Sequence, residues 1–468
     1  MTKKKWIGLV LAFVLFVTIL SVPHIDHLAV DGQRCLALFV AVFILYIFES
    51  IPAAVISIGI IPALVLLRIG NINEALTGFA SASTYLVIGS FILAAAMIKT
   101  GLGKRITCRL LLMIGTSPVR ISFGLMIVNM IMAFLIPSST ARTAMLLPIC
   151  LAIIQEYQGT EKNKARYSSN ILMTLCITSS TISAGILTST VSNPMAVEYI
   201  QKAIGETVTY GKWFMWGFIP AFIMTVVSWG VIQIFFRVSD EGKNEDAEYL
   251  RLQLSEMGKL QFNEGFTAAV VAITVAFWIL GEQLGIDSTT AAFLGAILLF
   301  MPRCNILDWK DCQRNISLSV VFVISGGISL GNAMVATGTS DWLAERVFGF
   351  LSPQMDMVWC IILIVVIVQF MHVFFVGTAT MANAFFPILI SVASQIHADP
   401  LAIIMPAAFM IGGYPVLMFF NTTPNILCYD TGFIRSSDFL KIGIPVSICA
   451  CVVYAVCAKW YWPFIGMF

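Results

Sequence analysis

Apolar residues run along this chain in blocks of roughly twenty, too long for strands and too uninterrupted for the amphipathic helices of a water-soluble domain. The first block, Trp6 to Val22, follows Lys3, Lys4 and Lys5 and is not trailed by a small-residue cleavage site. It reads as a first membrane span with a cytoplasmic N-terminus, not as a removed signal. Further blocks cover 35–48, 51–67 and 83–99, then 121–136, 141–155, 168–187 and 213–236. A mixed-charge segment, 237–265, reads as a solvated cytoplasmic linker. The second half places blocks at 266–283, 288–302, 317–336, 357–375, 379–395, 400–418 and 441–460. The pattern predicts an all-α polytopic membrane protein with about eleven transmembrane helices and two re-entrant hairpins.

The hairpins are predicted where polar groups break the pattern. Ile136 to Pro148 holds Ser138, Ser139, Thr140 and Arg142 inside an apolar region. Hydroxyls and a cation at membrane depth need a reason to be there. Both flanks are basic, with Lys104, Arg105 and Arg109 before and Lys162, Lys164 and Arg166 after. The positive-inside rule puts both in the cytoplasm, so segment 121–155 leaves and returns on one side. A second such tip, Val376 to Thr380, divides the hairpin 357–395, whose flanks are poor in Lys and Arg. Two further helices read as broken: 168–203 at Thr188 to Pro194, and 400–430 at Asn421 to Asn425. The pair Asn193 and Pro194 reads as a helix-ending signal. Thr100 to Arg120 and Ser340 to Phe350 read as surface helices.

The outline repeats. Gly89, Ala96, Met97, Thr100 and Gly101 match Gly326, Ala333, Met334, Thr337 and Gly338 in order. Glu49 and Ser50 match Asp287 and Ser288, and Thr140 and Ala141 match Thr378 and Ala379, at nearly the same separation. Asn193 and Asn425 match loosely. Counting crossings puts the second hairpin on the outer side, consistent with its few basic flanks and with the cationic cytoplasmic loop Arg303, Lys310 and Arg314. Residues 1–236 and 266–468 are therefore predicted to be inverted repeats joined by 237–265. Inverted repeats with paired broken helices mark secondary transporters that bind solute at the bilayer midplane.

Composition narrows the chemistry. The 468 residues are 59% hydrophobic and only 11% charged, with a net charge of +2. That excludes a soluble protein and gives no basis for a nucleic-acid partner. The 11 cysteines show no metal-ligand spacing, and His24, His27, His372 and His397 are dispersed. No cluster of nucleophile, base or metal ligands supports an enzyme, and no resident cofactor or metal beyond a coupling Na⁺ is predicted. No sizeable soluble domain supports a receptor. What the tips and breaks offer is hydroxyls, carboxamides and free backbone groups. Amides at half-helix N-termini with Ser and Thr hydroxyls suit carboxylate oxygens, and freed carbonyls with Asn oxygens suit Na⁺. Neither tip holds Asp or Glu, which argues against an organic cation. Arg142 is placed to compensate a polyanion or to pair locally. Glu49 and Asp287 are read as helix-end caps in preference to proton carriers, and His372 as a hydrogen-bonded packing histidine.

Ser138, Ser139, Thr140, Ala141 and Arg142 resemble the hairpin motif of the divalent anion–sodium symporter family, bacterial relatives of the dicarboxylate and citrate carriers. His372 to Pro387 resembles the second hairpin of its citrate and 2-oxoglutarate exchanger branch, and Thr422, Thr423, Pro424 and Asn425 are similar to the family's second break. The resemblance covers nearly the whole chain. It implies a homodimer in the cell membrane with a fixed scaffold and an elevator-like moving part, and di- or tricarboxylates such as succinate, malate or citrate as solutes. It implies substrate contacts from Ser138, Ser139, Thr140, Gly377, Thr378, Ala379, Thr422, Thr423 and Pro424, with Arg142 added on charge. Ser138, Ser139, Thr188, Thr190, Asn193, Asn421 and Asn425 would form any cation site. The chain departs from the family at Ser139 and at Gly377 or Thr378, where sodium-coupled relatives carry Asn. That departure favours exchange. A sodium-coupled dicarboxylate symporter and an inorganic-oxyanion (sulfate-like) transporter of the same fold are the alternatives.

Overall fold

A computed structural model describes residues 3–23, 25–136, 138–238, 243–244, 246–302, 304, 306–352 and 354–468. His24, Pro137, Arg303 and part of the predicted linker lie outside the described residues. The protein is an all-α polytopic membrane protein. Its only described strand pairing joins Tyr157 and Gln158 to Asn244 and Lys243. Among the described residues, eight helices are long and apolar enough to cross a bilayer: Lys3–Ser21, Val30–Phe48, Ala82–Thr100, Pro118–Leu135, Tyr210–Phe235, Phe262–Leu284, Leu318–Ala336 and Ser436–Phe464. Ala53–Leu66, Ser288–Leu298, Met357–Met371 and Pro400–Gly413 are apolar but shorter. Blocks of continuous hydrophobicity thus mark helix positions well and helix lengths less well.

The two halves interlock. The short Ala53–Leu66 lies against Leu318–Ala336, and the short Ser288–Leu298 lies against Ala82–Thr100. Glycine makes both crossings close. A Cβ on Gly89 would sit 2.9 Å from the Ala292 Cβ, and one on Gly326 only 2.4 Å from the Ser57 carbonyl oxygen. The matched glycines mark the same kind of helix crossing. The corners leading into the short helices differ. Asp287 caps Ser288–Leu298, with Oδ1 accepting from the amides of Thr289 and Thr290 at 2.9 Å each. Burial raises its carboxyl pKa, but the Thr290 hydroxyl and these amides outweigh that and hold it below the usual range. Glu49 instead ends Val30–Phe48 in a left-handed conformation (φ 47°) and caps nothing with its side chain.

The linker is more ordered than its charge suggests. It contains the helix Asp246–Met257, which buries Leu250 completely. Arg105, on the surface helix Leu102–Ile114, donates to the carbonyls of Met257 (3.0 Å) and Gly258 (2.8 Å) at its end. The same guanidinium grips Glu264 through Nε (2.7 Å) and Nη2 (3.0 Å), both side chains almost fully buried. Charge pattern alone missed this because Tyr249, Leu250 and Leu254 supply an apolar face at helical spacing.

Each predicted hairpin segment consists of two helices on either side of its tip: Pro118–Leu135 and Ser139–Glu156, and Met357–Met371 and Thr378–Gln395. The breaks fall earlier than the prolines suggested. Glu161–Ser183 ends before Ala184, and Ser192–Ile204 resumes with Asn193 and Pro194 in its first turn. Pro400–Gly413 ends before Tyr414, and Thr423–Tyr429 resumes with Pro424 in its first turn. Proline lacks the amide that a first turn leaves unused, so it opens these half-helices where a helix end was expected.

Candidate functional site

At the first tip, Ser138 caps Ser139–Glu156, its Oγ accepting from the Ala141 amide at 3.3 Å. One turn on, Arg142 is fully buried. Its Nη1 donates to the Ile136 carbonyl (3.0 Å) and Ser189 Oγ (2.8 Å). Its Nη2 donates to the Ser179 carbonyl (2.8 Å) and Ser183 Oγ (2.7 Å). One guanidinium therefore ties the tip to the end of Glu161–Ser183 and to the break beyond it. None of the ion pairs among the described residues involves Arg142. Its charge is met by neutral oxygens, two of them carbonyls at helix C-terminal ends.

The second tip is held by a different residue. Gly377 precedes Thr378–Gln395 with φ +93°, a conformation that suits glycine. Its amide donates to the Asn421 carbonyl at 3.0 Å. The Asn421 side chain donates to the carbonyls of His372 and, at 3.3 Å, Phe375, and accepts from the Met418 amide at 2.7 Å. It ties the tip to the second break as Arg142 ties the first. His372 is buried, with Nδ1 3.0 Å from the Val368 carbonyl and Nε2 3.4 Å from that of Ile411, the packing role expected of it.

Inside each break an asparagine bridges the gap. Asn193 Nδ2 donates to the carbonyls of Ser183 (2.8 Å) and Ile186 (3.0 Å). Asn425 Nδ2 donates to those of Pro415 (2.7 Å) and Met418 (3.1 Å). Both Oδ1 atoms are buried without a hydrogen-bond partner among the described residues, as are the Thr188 and Ser192 hydroxyls. The breaks meet closely: a Cβ on Gly412 would lie 2.5 Å from Asn193 Oδ1, and one on Gly413 2.6 Å from the Ala184 Cβ. Ser139–Glu156 also packs on Thr423–Tyr429, and Thr378–Gln395 on Ser192–Ile204. The two hairpins and two broken helices thus converge.

Accessibility divides the expected site residues. Ser138, Ser139, Thr140, Gly377, Thr378 and Ala379 are half-buried and Thr423 is exposed, whereas Thr422 and Pro424 are buried. The hydroxyls of Ser139, Thr140, Thr378 and Thr423 make no hydrogen bond to a described residue. Thr188, Thr190, Asn193, Asn421 and Asn425 are all buried. Open donors stand at two helix N-termini, which suits an anion. Closed acceptor oxygens stand in the breaks, which suits a small cation. Sequence reading did not single out Ser179 and Ser183, which hold Arg142 together with Ile136 and with Ser189 of the predicted break. The signal was the hydroxyl run Thr178, Ser179, Ser180, Thr181 and Ser183 within one buried helix.

Residues 3–468 match the family description "sodium:sulfate symporter transmembrane region". The chain is 27% identical to a sodium-dependent dicarboxylate transporter of Staphylococcus saprophyticus, over 96% of this chain and 89% of that one. It is 23% identical to a citrate/succinate antiporter of Escherichia coli K12, over 94% and 95%. Its fold is similar to that of MtrF of Neisseria gonorrhoeae, from a class of antimetabolite efflux pumps, with a TM-score of 0.57, 12% identity and coverage of 95% and 97%.

Proposed function

This chain belongs to the sodium:sulfate symporter family, a family of membrane transporters and not of enzymes, and we propose that it carries small di- or tricarboxylates such as succinate, malate or citrate across the cytoplasmic membrane by exchange. The observation that carries this reading is the contrast at the tips. Ser139, Thr140 and Thr378 present unbonded hydroxyls at the open ends of two helices, and no carboxylate stands among them. A buried arginine one turn behind the first tip adds a positive charge. In the absence of water such donors hold a carboxylate strongly, and Arg142 acts through space while its hydrogen bonds keep the tip in shape. The N-terminus lies in the cytoplasm, the halves are inverted repeats, and the hairpins with the broken helices form the solute-carrying body. Likeness to a citrate/succinate antiporter supports exchange.

Sodium symport is the second reading, and it has its own support. Asn193 and Asn425 each keep a buried, unpartnered Oδ1, and such oxygens are cation ligands in waiting. A relative named as sodium-dependent points the same way. Uptake of labelled succinate and citrate into proteoliposomes separates the two. Stimulation by internal dicarboxylate without a Na⁺ gradient is the outcome of exchange; stimulation by the gradient alone is that of symport. No uptake under either condition rejects carboxylates as the solute.

A further inference from the structure

We propose that a cavity beneath the second hairpin tip is the cytoplasmic docking vestibule for the anionic solute, and that Lys5 is its charge-selecting residue. The inference rests on the anion-transport reading above.

The cavity, of about 170 Å³, is lined by Lys5, Tyr46, Glu49, Pro52, Val376 and Thr380 among others. It joins three parts of the chain that the repeat does not relate to one another: the first helix, the corner after Val30–Phe48 and the second tip. Lys5 reaches it through a close helix approach. A Cβ on Gly8 would lie 2.2 Å from Ser50 Oγ and 2.3 Å from the Phe48 Cβ, so the first helix is pressed onto that corner. Lys5 lies three residues earlier, on the same helix face. Its ammonium makes no ion pair with a described residue.

The rest of the lining is also suited to an anion. Ala53–Leu66 opens at Pro52 with no side-chain cap, and Thr378–Gln395 opens at Gly377 with none. Ala53 and Thr380, in the first turns of these helices, line the cavity, so the partial positive charge of both helix ends lies beside it. Glu49 is the one carboxylate in the lining. It opposes Lys5 and sets how strongly a dianion is drawn in. Lys3 and Lys4 carry the same charge as Lys5 but do not line the cavity. A lysine needed only to orient the N-terminus would be interchangeable with them. A lysine that receives solute would not.

The test is succinate uptake into inside-out membrane vesicles, which present the cytoplasmic face to the label. Lys5→Gln raises KM about five- to ten-fold with little change in maximal rate, and the effect fades at high salt. Lys5→Arg retains the wild-type KM, and Glu49→Gln lowers it. The double variant Lys3→Gln/Lys4→Gln leaves KM unchanged. An unchanged KM in Lys5→Gln, or an equal rise in the Lys3/Lys4 variant, overturns the vestibule alone. Failure of the unmodified protein to take up any carboxylate overturns the solute reading and the vestibule with it.

Discussion

Asn193 and Asn425 do the same work in the two breaks. Each donates its carboxamide to the carbonyls ten and seven residues before it, Ser183 and Ile186 for one, Pro415 and Met418 for the other. A break inside a membrane protein frees carbonyls that have no water to turn to. One side chain satisfies two of them and fixes how the half-helices face.

Replacing either asparagine by alanine should therefore lower stability similarly. Each variant removes two hydrogen bonds to carbonyls of the break, worth about 0.5–1.5 kcal/mol apiece. Thermal unfolding of the purified protein in detergent is the measurement, and both Asn193→Ala and Asn425→Ala should shift the midpoint down by comparable amounts. A large loss for one and none for the other would break the equivalence.

Arg142 should resist conservative replacement. Its fork reaches Ile136, Ser179, Ser183 and Ser189 at once, and a lysine ammonium has neither the shape nor the donors to do so. Arg142→Lys should lose exchange activity about as fully as Arg142→Ala and should unfold at lower temperature than wild type, in the range of about 2–4 kcal/mol. Transport assayed beside thermal unfolding checks both parts.

The Arg105 and Glu264 pair should show the asymmetry of buried ions. Glu264→Gln strips the guanidinium of its charged partner and should destabilise by about 3–5 kcal/mol. The paired change Arg105→Met/Glu264→Leu should recover part of that loss. Chemical or thermal unfolding of the three proteins gives the comparison.

The helix crossings give a steric prediction. Gly326→Ala places a methyl 2.4 Å from a backbone oxygen and should cost folding yield and thermal stability. Gly230, in the helix Tyr210–Phe235, has nothing within 4 Å of its would-be Cβ. Gly230→Ala should be neutral or slightly stabilising, since alanine favours the helix by about 1 kcal/mol.

Much of this was legible in the chain. The apolar blocks placed the helices, and the hydroxyls at Ser138, Ser139 and Thr140 read as a tip in preference to a helix-packing patch once the repeat supplied a second tip at Val376 to Thr380. Gly89 and Gly326 were visible as a match, but the helices they press against lie more than two hundred residues away in sequence, Ser288–Leu298 for one and Ala53–Leu66 for the other. Arg142 was visible as an anomaly, yet its partners Ser179, Ser183 and Ser189 are brought to it only by folding. Asn193 with Pro194 was misread as an ending because a proline marks a helix boundary without saying on which side the helix lies. Glu49 and Asp287 matched in sequence but not in role, since Asp287 caps a helix and Glu49 ends one in a left-handed turn.

On the proposed function, the open hydroxyls at the tips bind the carboxylate. Thr140→Val keeps the size of the side chain and removes the donor. Counterflow of labelled succinate in proteoliposomes should fall about ten- to hundred-fold, the worth of a hydrogen bond to a charged group, with the unfolding temperature unchanged. Wild-type counterflow and affinity in Thr140→Val would rule out solute binding by this hydroxyl and return the tip to a role in helix packing.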